Sequence, residues 1–99
     1  MSKSLEFFFD VGSPTTYLAW TQLPKIAAET GATIIWRPML LGGVFKATGN
    51  QSPVNIPAKA RYMLQDLARY ARRYGVPMTF NPHFPTNTLT LMRGAAGYL

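Results

Sequence analysis

Ser13 is the residue in this chain best placed to do chemistry. It stands in E-F-F-F-D-V-G-S-P-T-T-Y, where an apolar run ends in an acid and a glycine before Ser13-Pro14. Serine is a favoured N-cap, and proline suits the first helical position because its missing N–H would have no partner there. A helix starting at this point aims its free N–H groups and the positive end of its dipole at the Ser13 hydroxyl. Such a place holds an anion. A plain capping role for Ser13 is the alternative. The chain has no cysteine and one histidine, His83. Disulfides, thiolate metal sites, multi-histidine metal centres and redox chemistry on the protein's own thiols are therefore excluded. His83 has the titration range of a proton shuttle but sits among prolines, so a surface or lining position is expected for it.

The elements that must position Ser13 are legible in outline. Leu5 to Phe9 is nearly continuous in apolar residues, which predicts a strand buried on both faces, as in a parallel sheet. Ser13 then caps a helix to about Thr30, with Tyr17, Leu18, Ile26 and Ala27 near one face. Pro24 lies inside it and clashes with the Trp20 carbonyl, which predicts a kink or two short helices. Gly31 is the expected stop. Ala32 to Arg37 is a second β-branched strand ended by Pro38, so strand, helix and strand form a parallel βαβ unit. Met39 to Ile56 reads as an ordered loop with one helical turn near Val44 to Ala47. Loops longer than about 12–15 residues are uncommon unless functional or disordered, and its apolar content argues against disorder. Pro57 to Tyr74 is the clearest helix, with Ala60, Met63, Leu64, Leu67, Ala71 and Tyr74 as its apolar stripe. A last helix starts at Thr86 or Asn87, with Leu89, Met92, Ala96 and Leu99 on one face. Trp36, Phe45, Phe84, Tyr17 and Met39 form either an aromatic pocket wall or simply core.

With 99 residues, the chain has room for one small domain. Its net charge is +6. A nucleic-acid surface is one reading of that charge, but the arginines fall at helical spacing and no nucleic-acid motif is present. A solvated basic helix face, with a few cations aimed at a small anionic ligand, is the reading taken; neither nucleic acid nor membrane is an expected partner. No apolar run approaches the roughly 18–20 residues that span a bilayer. The opening residues are not a secretory signal. A cytoplasmic location is expected.

Three stretches in order carry a resemblance. They are F-D-V-G-S-P-T-T-Y-L-A, then R-P-M-L-L-G-G-V-F-K-A-T-G-N, then P-A-K-A-R-Y-M followed by D-L-A-R-Y and G-V-P. The sequence resembles 2-hydroxychromene-2-carboxylate isomerases and kappa-class glutathione transferases, thioredoxin-like proteins of the DsbA type. The resemblance implies an α/β fold: a thioredoxin-like βαβ half over residues 1–40 and an incomplete helical insertion over 41–99. Family members are about twice this long, so the chain is read as an N-terminal fragment lacking the second half of the sheet.

The resemblance also implies a cofactor, glutathione, whose sulfur would sit over Ser13 where redox relatives carry a C-x-x-C thiol. Ser13 would then activate a thiol supplied from outside. Asn50 and Lys59 match glutathione-binding positions of the family; their alternatives are a turn residue and a solvated first-turn lysine. Lys46 and Asn55 are candidates for a substrate carboxylate. The implied reaction is cis–trans isomerisation of 2-hydroxychromene-2-carboxylate or a related aromatic 2-oxo acid in bacterial aromatic catabolism. A kappa-like transferase is the second enzyme reading, and an inactive or assembly-dependent fragment is the third. The intact protein is expected to be a homodimer.

Overall fold

A computed structural model describes residues 3–79, 84 and 86–99. Two parallel strands, β1 (Ser4–Phe9) and β2 (Thr33–Pro38), are joined by the helix α1 (Pro14–Thr30). Then come α2 (Leu41–Thr48), a 3-10 turn at Pro53–Asn55, α3 (Pro57–Tyr74) and α4 (Leu89–Tyr98). The expected βαβ unit is therefore present. In its register Leu5 pairs with Ile34, Phe7 with Trp36 and Phe9 with Pro38.

Side chains alternate across a strand, so Leu5, Phe7, Phe9, Ile34 and Trp36 share one face. On that face the Phe7 and Trp36 rings meet edge-on at 5.6 Å, and Phe9 lies 6.1 Å from Trp36. The opposite face carries Glu6, Phe8, Ile35 and Arg37. Phe8 is 55% exposed there, so the strand is not buried on both faces as its composition suggested. α1 and α4 both contact the sheet, and both border the cavity beside Phe7, Phe9 and Trp36, so the Phe8 face is left open. Glu6 and Arg37 pair across it at 3.8 Å, both half exposed, a contact worth little in water.

α1 begins and ends as its caps dictate. Ser13 is extended and its Oγ accepts from the Thr16 N–H, Pro14 fills the first turn, and Gly31 closes the helix at φ 72°. The helix runs through Pro24 as one segment. Pro24 and Trp20 both lie on the exposed side, where water can take up the carbonyl that proline leaves unbonded. Leu18 and Ala27 are both buried, yet nine residues at 100° each set them roughly half a turn apart. They therefore do not share one face: α1 touches α3 on one side and β2 on another. Ile26 falls between these contacts and is exposed.

The main core joins Leu18 of α1 to Leu67 and Ala71 of α3, with Tyr17, Met63, Tyr74, Val76 and Met78 packed around them. Burying a leucine contributes on the order of 1.5–3 kcal/mol, so this small cluster is the principal link between the βαβ unit and α3. The α3 stripe is narrower than its sequence suggests, because one helix covers it; Leu64 is exposed. In α4, Met92 is buried against the β1–α1 turn, whereas Ala96 and Leu99 are exposed although the helix also contacts β2. Residues 41–48 form two helical turns where a loop with one short turn was expected.

Candidate functional site

The site is built from the first turn of α1. Ser13 donates its N–H to the Asp10 carbonyl (3.0 Å), and its own carbonyl accepts from Tyr17 (3.2 Å). Its Oγ accepts from the Thr16 N–H at 3.2 Å. The capping bond uses a lone pair and leaves the hydroxyl proton uncommitted: no acceptor for it exists among the described residues. Pro14 has no N–H, and the Thr15 N–H likewise has no protein partner among the described residues. One hydroxyl proton and one backbone amide thus remain to be given to an anion at the positive end of a helix.

Asp10 organises the ground beneath them. It is 4% exposed. Its Oδ1 accepts from the Gly12 N–H (2.8 Å) and the Thr88 hydroxyl (2.7 Å), and its Oδ2 accepts from the Leu41 N–H (2.9 Å). Burial pushes the carboxyl up, but the Thr88 hydroxyl and the Gly12 and Leu41 amides bind the ionised form and hold it below its ordinary value of 3.8. Gly12 permits the close approach: a Cβ there would lie 2.7 Å from Thr88 Cγ2. The Val11 N–H also reaches Met92 Sδ at 3.4 Å. The start of α4 is therefore pressed directly onto the turn before Ser13.

A cavity of about 560 Å3 opens over this turn, lined by Ser13, Pro14 and Thr15, by Leu40 to Gly43, Phe45 and Lys46, and by Phe84 and Thr86 to Thr88. Lys46 is the cation among its described lining residues. Ser13 also borders an apolar cavity of about 470 Å3 walled by Phe7, Phe9, Tyr17, Trp20 and Trp36. The anticipated aromatic wall is thus divided: Phe45 and Phe84 line the first space, Tyr17 and Trp36 the second, and Met39 lines neither.

The structure brings Ser13 and Lys46 to one cavity and leaves the other candidates outside its lining. Asn50 is exposed after the C-cap Gly49, with its Oδ1 taken by the Gln51 N–H at 2.8 Å. Asn55 is exposed and its Nδ2 reaches Gln51 Oε1 at 3.4 Å. Lys59 is exposed in the first turn of α3. His83 lies outside the described residues. Asp10 forms no ion pair among the described residues and serves as a shared acceptor. Thr88 and Thr15 carried no sequence signal, since a hydroxyl bonded 78 positions away and an unspent amide are facts of packing. Among the described residues no cluster of metal-ligating side chains occurs. The donors present, one hydroxyl and one backbone amide, suit a small anion.

A βαβ unit whose helix starts at Ser-Pro, under a helical lobe, defines a thioredoxin-like domain. The model of the DSBA-like thioredoxin domain matches residues 4–98, and the chain belongs to that family. Within it, the chain is 41% identical over 86 residues to a 2-hydroxychromene-2-carboxylate isomerase of Sphingobium xenophagum, covering 85% of this chain and 44% of the relative. It is 38% identical over 81 residues to glutathione S-transferase kappa 1 of Caenorhabditis elegans, covering 81% and 36%. A solved structure of a 2-hydroxychromene-2-carboxylate isomerase superposes with a TM-score of 0.73 at 36% identity, over 83% of this chain and 41% of that one. The chain spans less than half the length of these relatives.

Proposed function

We infer that this chain supplies the thiol-activating half of a glutathione-dependent cis–trans isomerase acting on 2-hydroxychromene-2-carboxylate or a related aromatic 2-oxo acid. The observation that carries the reading is Ser13: a capping serine whose hydroxyl proton meets no acceptor among the described residues, at the head of a thioredoxin-like helix, in a chain without cysteine. Glutathione, when bound, supplies the thiolate nucleophile that this chain lacks. Ser13 donates its hydroxyl proton as a hydrogen bond to that sulfur, and the Thr15 N–H and the dipole of α1 add to the same charge. Ser13 is thus an activator and not the attacking atom. Lys46, on the same cavity, offers a point charge to a carboxylate. Asn50, Asn55 and Lys59 serve the ligand only if it extends past the cavity rim. A cytoplasmic homodimer working in aromatic catabolism belongs to the same reading.

A kappa-like glutathione transferase is the second reading, supported by the kappa-class relatives of comparable identity. The two separate by assay of the protein, expressed from its own reading frame, with the chromene and with a chloro-aromatic acceptor. Glutathione-dependent isomerisation without conjugate supports the first; an accumulating thioether supports the second. Absence of glutathione dependence with both substrates rejects the two together.

A further inference from the structure

The three hydrogen bonds on the Asp10 carboxylate come from three segments: Gly12 in the turn into α1, Leu41 at the start of α2 and Thr88 at the start of α4. They lie 2, 31 and 78 positions away in sequence. All three segments line the cavity that Ser13 and Lys46 share. α2 has no side-chain cap of its own, since Leu40 occupies the N-cap position; the carboxylate of Asp10 replaces it. Thr88 at the start of α4 makes no side-chain cap bond and gives its hydroxyl proton to Asp10. The backbone bond from Met39 to the Phe9 carbonyl, 2.9 Å, stands beside this arrangement and does not depend on the Asp10 side chain.

We propose that Asp10 is a positioning residue: its carboxylate ties the starts of α1, α2 and α4 to one point and thereby fixes the Ser13 hydroxyl and the Lys46-bearing helix at a set separation across the cavity. The proposal rests on the reading of Ser13 as thiol activator and deepens it. A carboxylate is the side chain this junction needs, because it accepts on both oxygens at once. An asparagine would set its NH2 against either the Leu41 N–H or the Gly12 N–H. The Thr88 hydroxyl can rotate to suit an amide, but a backbone N–H cannot, so Asp10→Asn uncaps one of those segments. The charge of Asp10 itself works in the other direction, since an anion nearby disfavours a thiolate. The two roles therefore predict opposite results when Asp10 is neutralised.

The test uses Thr88→Val, Thr88→Ser and Asp10→Asn in the protein expressed from its own reading frame. Without ligand, amide hydrogen exchange reads the tie directly. Thr88→Val is expected to speed exchange at both Gly12 and Leu41 by about tenfold, and Thr88→Ser to restore it. With glutathione added, the ultraviolet absorbance of the thiolate is followed against pH. Positioning predicts that the thiolate appears at higher pH in Thr88→Val and Asp10→Asn and at the native pH in Thr88→Ser, with kcat falling about tenfold and KM little changed. A lower ionisation pH in Asp10→Asn, with Thr88→Val unchanged, assigns Asp10 a purely electrostatic role and overturns the proposal. Unaltered exchange at Gly12 and Leu41 in both variants also overturns it, whatever happens to Tm. A native protein that never ionises glutathione rejects the reading of Ser13, and the exchange data then decide the Asp10 tie by themselves.

Discussion

The Ser13 Oγ accepts the Thr16 N–H at 3.2 Å while its proton points to no acceptor among the described residues. One atom thus caps a helix and still has a hydrogen bond to give. The two duties are separable by substitution.

Ser13→Gly and Ser13→Ala differ in what they cost the helix. Glycine replaces a capping serine at a loss of only a few tenths of a kcal/mol, whereas alanine costs about 1 kcal/mol. If the hydroxyl stabilises a sulfur anion, both variants lose turnover alike, by roughly 100- to 1,000-fold, as when an oxyanion donor is removed. Ser13→Thr keeps both duties and should retain most activity. Steady-state rates beside thermal unfolding check this. A glycine variant with near-native turnover would reduce Ser13 to a cap.

Gly12→Ala brings a methyl group to 2.7 Å from Thr88 Cγ2. The start of α4 must shift, and overpacking of this kind costs about 1–3 kcal/mol. Adding Thr88→Ser removes the clashing methyl while keeping the hydroxyl on Asp10. Denaturant unfolding should therefore show the double variant more stable than Gly12→Ala alone. Additive losses would mean that the two segments do not touch in solution.

The fold holds the Asp10 carboxyl below its ordinary value of 3.8, because the donors on it outweigh its burial. A group depressed in this way contributes stability above its unfolded value, and that contribution is lost as the pH falls through the lower folded value. Native protein should exceed Asp10→Asn in unfolding free energy at neutral pH, and the gap should narrow below pH 3.8. A gap constant over that range would show that the ionised form is not favoured by the fold.

What the sequence made legible was local. Ser13-Pro14 and Gly31 announce both ends of α1, and the stripe of α3 with Gly75 announces that helix, because the signals lie within a turn of the structure they specify. Only one turn of α2 was legible, since its cap comes from Asp10 rather than from the residue before it, and Gly42 and Gly43 are poor helix formers. Ile26, Leu64 and Leu99 were assigned to apolar faces by periodicity, and Phe8 to a buried strand by its unbroken apolar run. Periodicity says which residues share a face but not whether another element covers it. The site divided in the same way: Ser13 was named by its own neighbours, whereas Asp10 and Thr88 matter through contacts that only the folded chain creates. Lys46 sits on the cavity with Ser13, while Asn50, Asn55 and Lys59 lie outside its lining.

On the ribosome Ser13 is made well before Thr88, from which the carboxylate beneath it takes its last partner, 78 positions after Asp10. At translation rates of about 5–20 residues per second, that partner emerges roughly 4–16 s later. Through that interval a nascent chain can form α1 and its cap but not the closed floor of the cavity. The floor of the pocket therefore closes only once Thr88 has emerged, and a ribosome stalled before that residue would release a helix with a serine at its head and no finished place to hold a ligand.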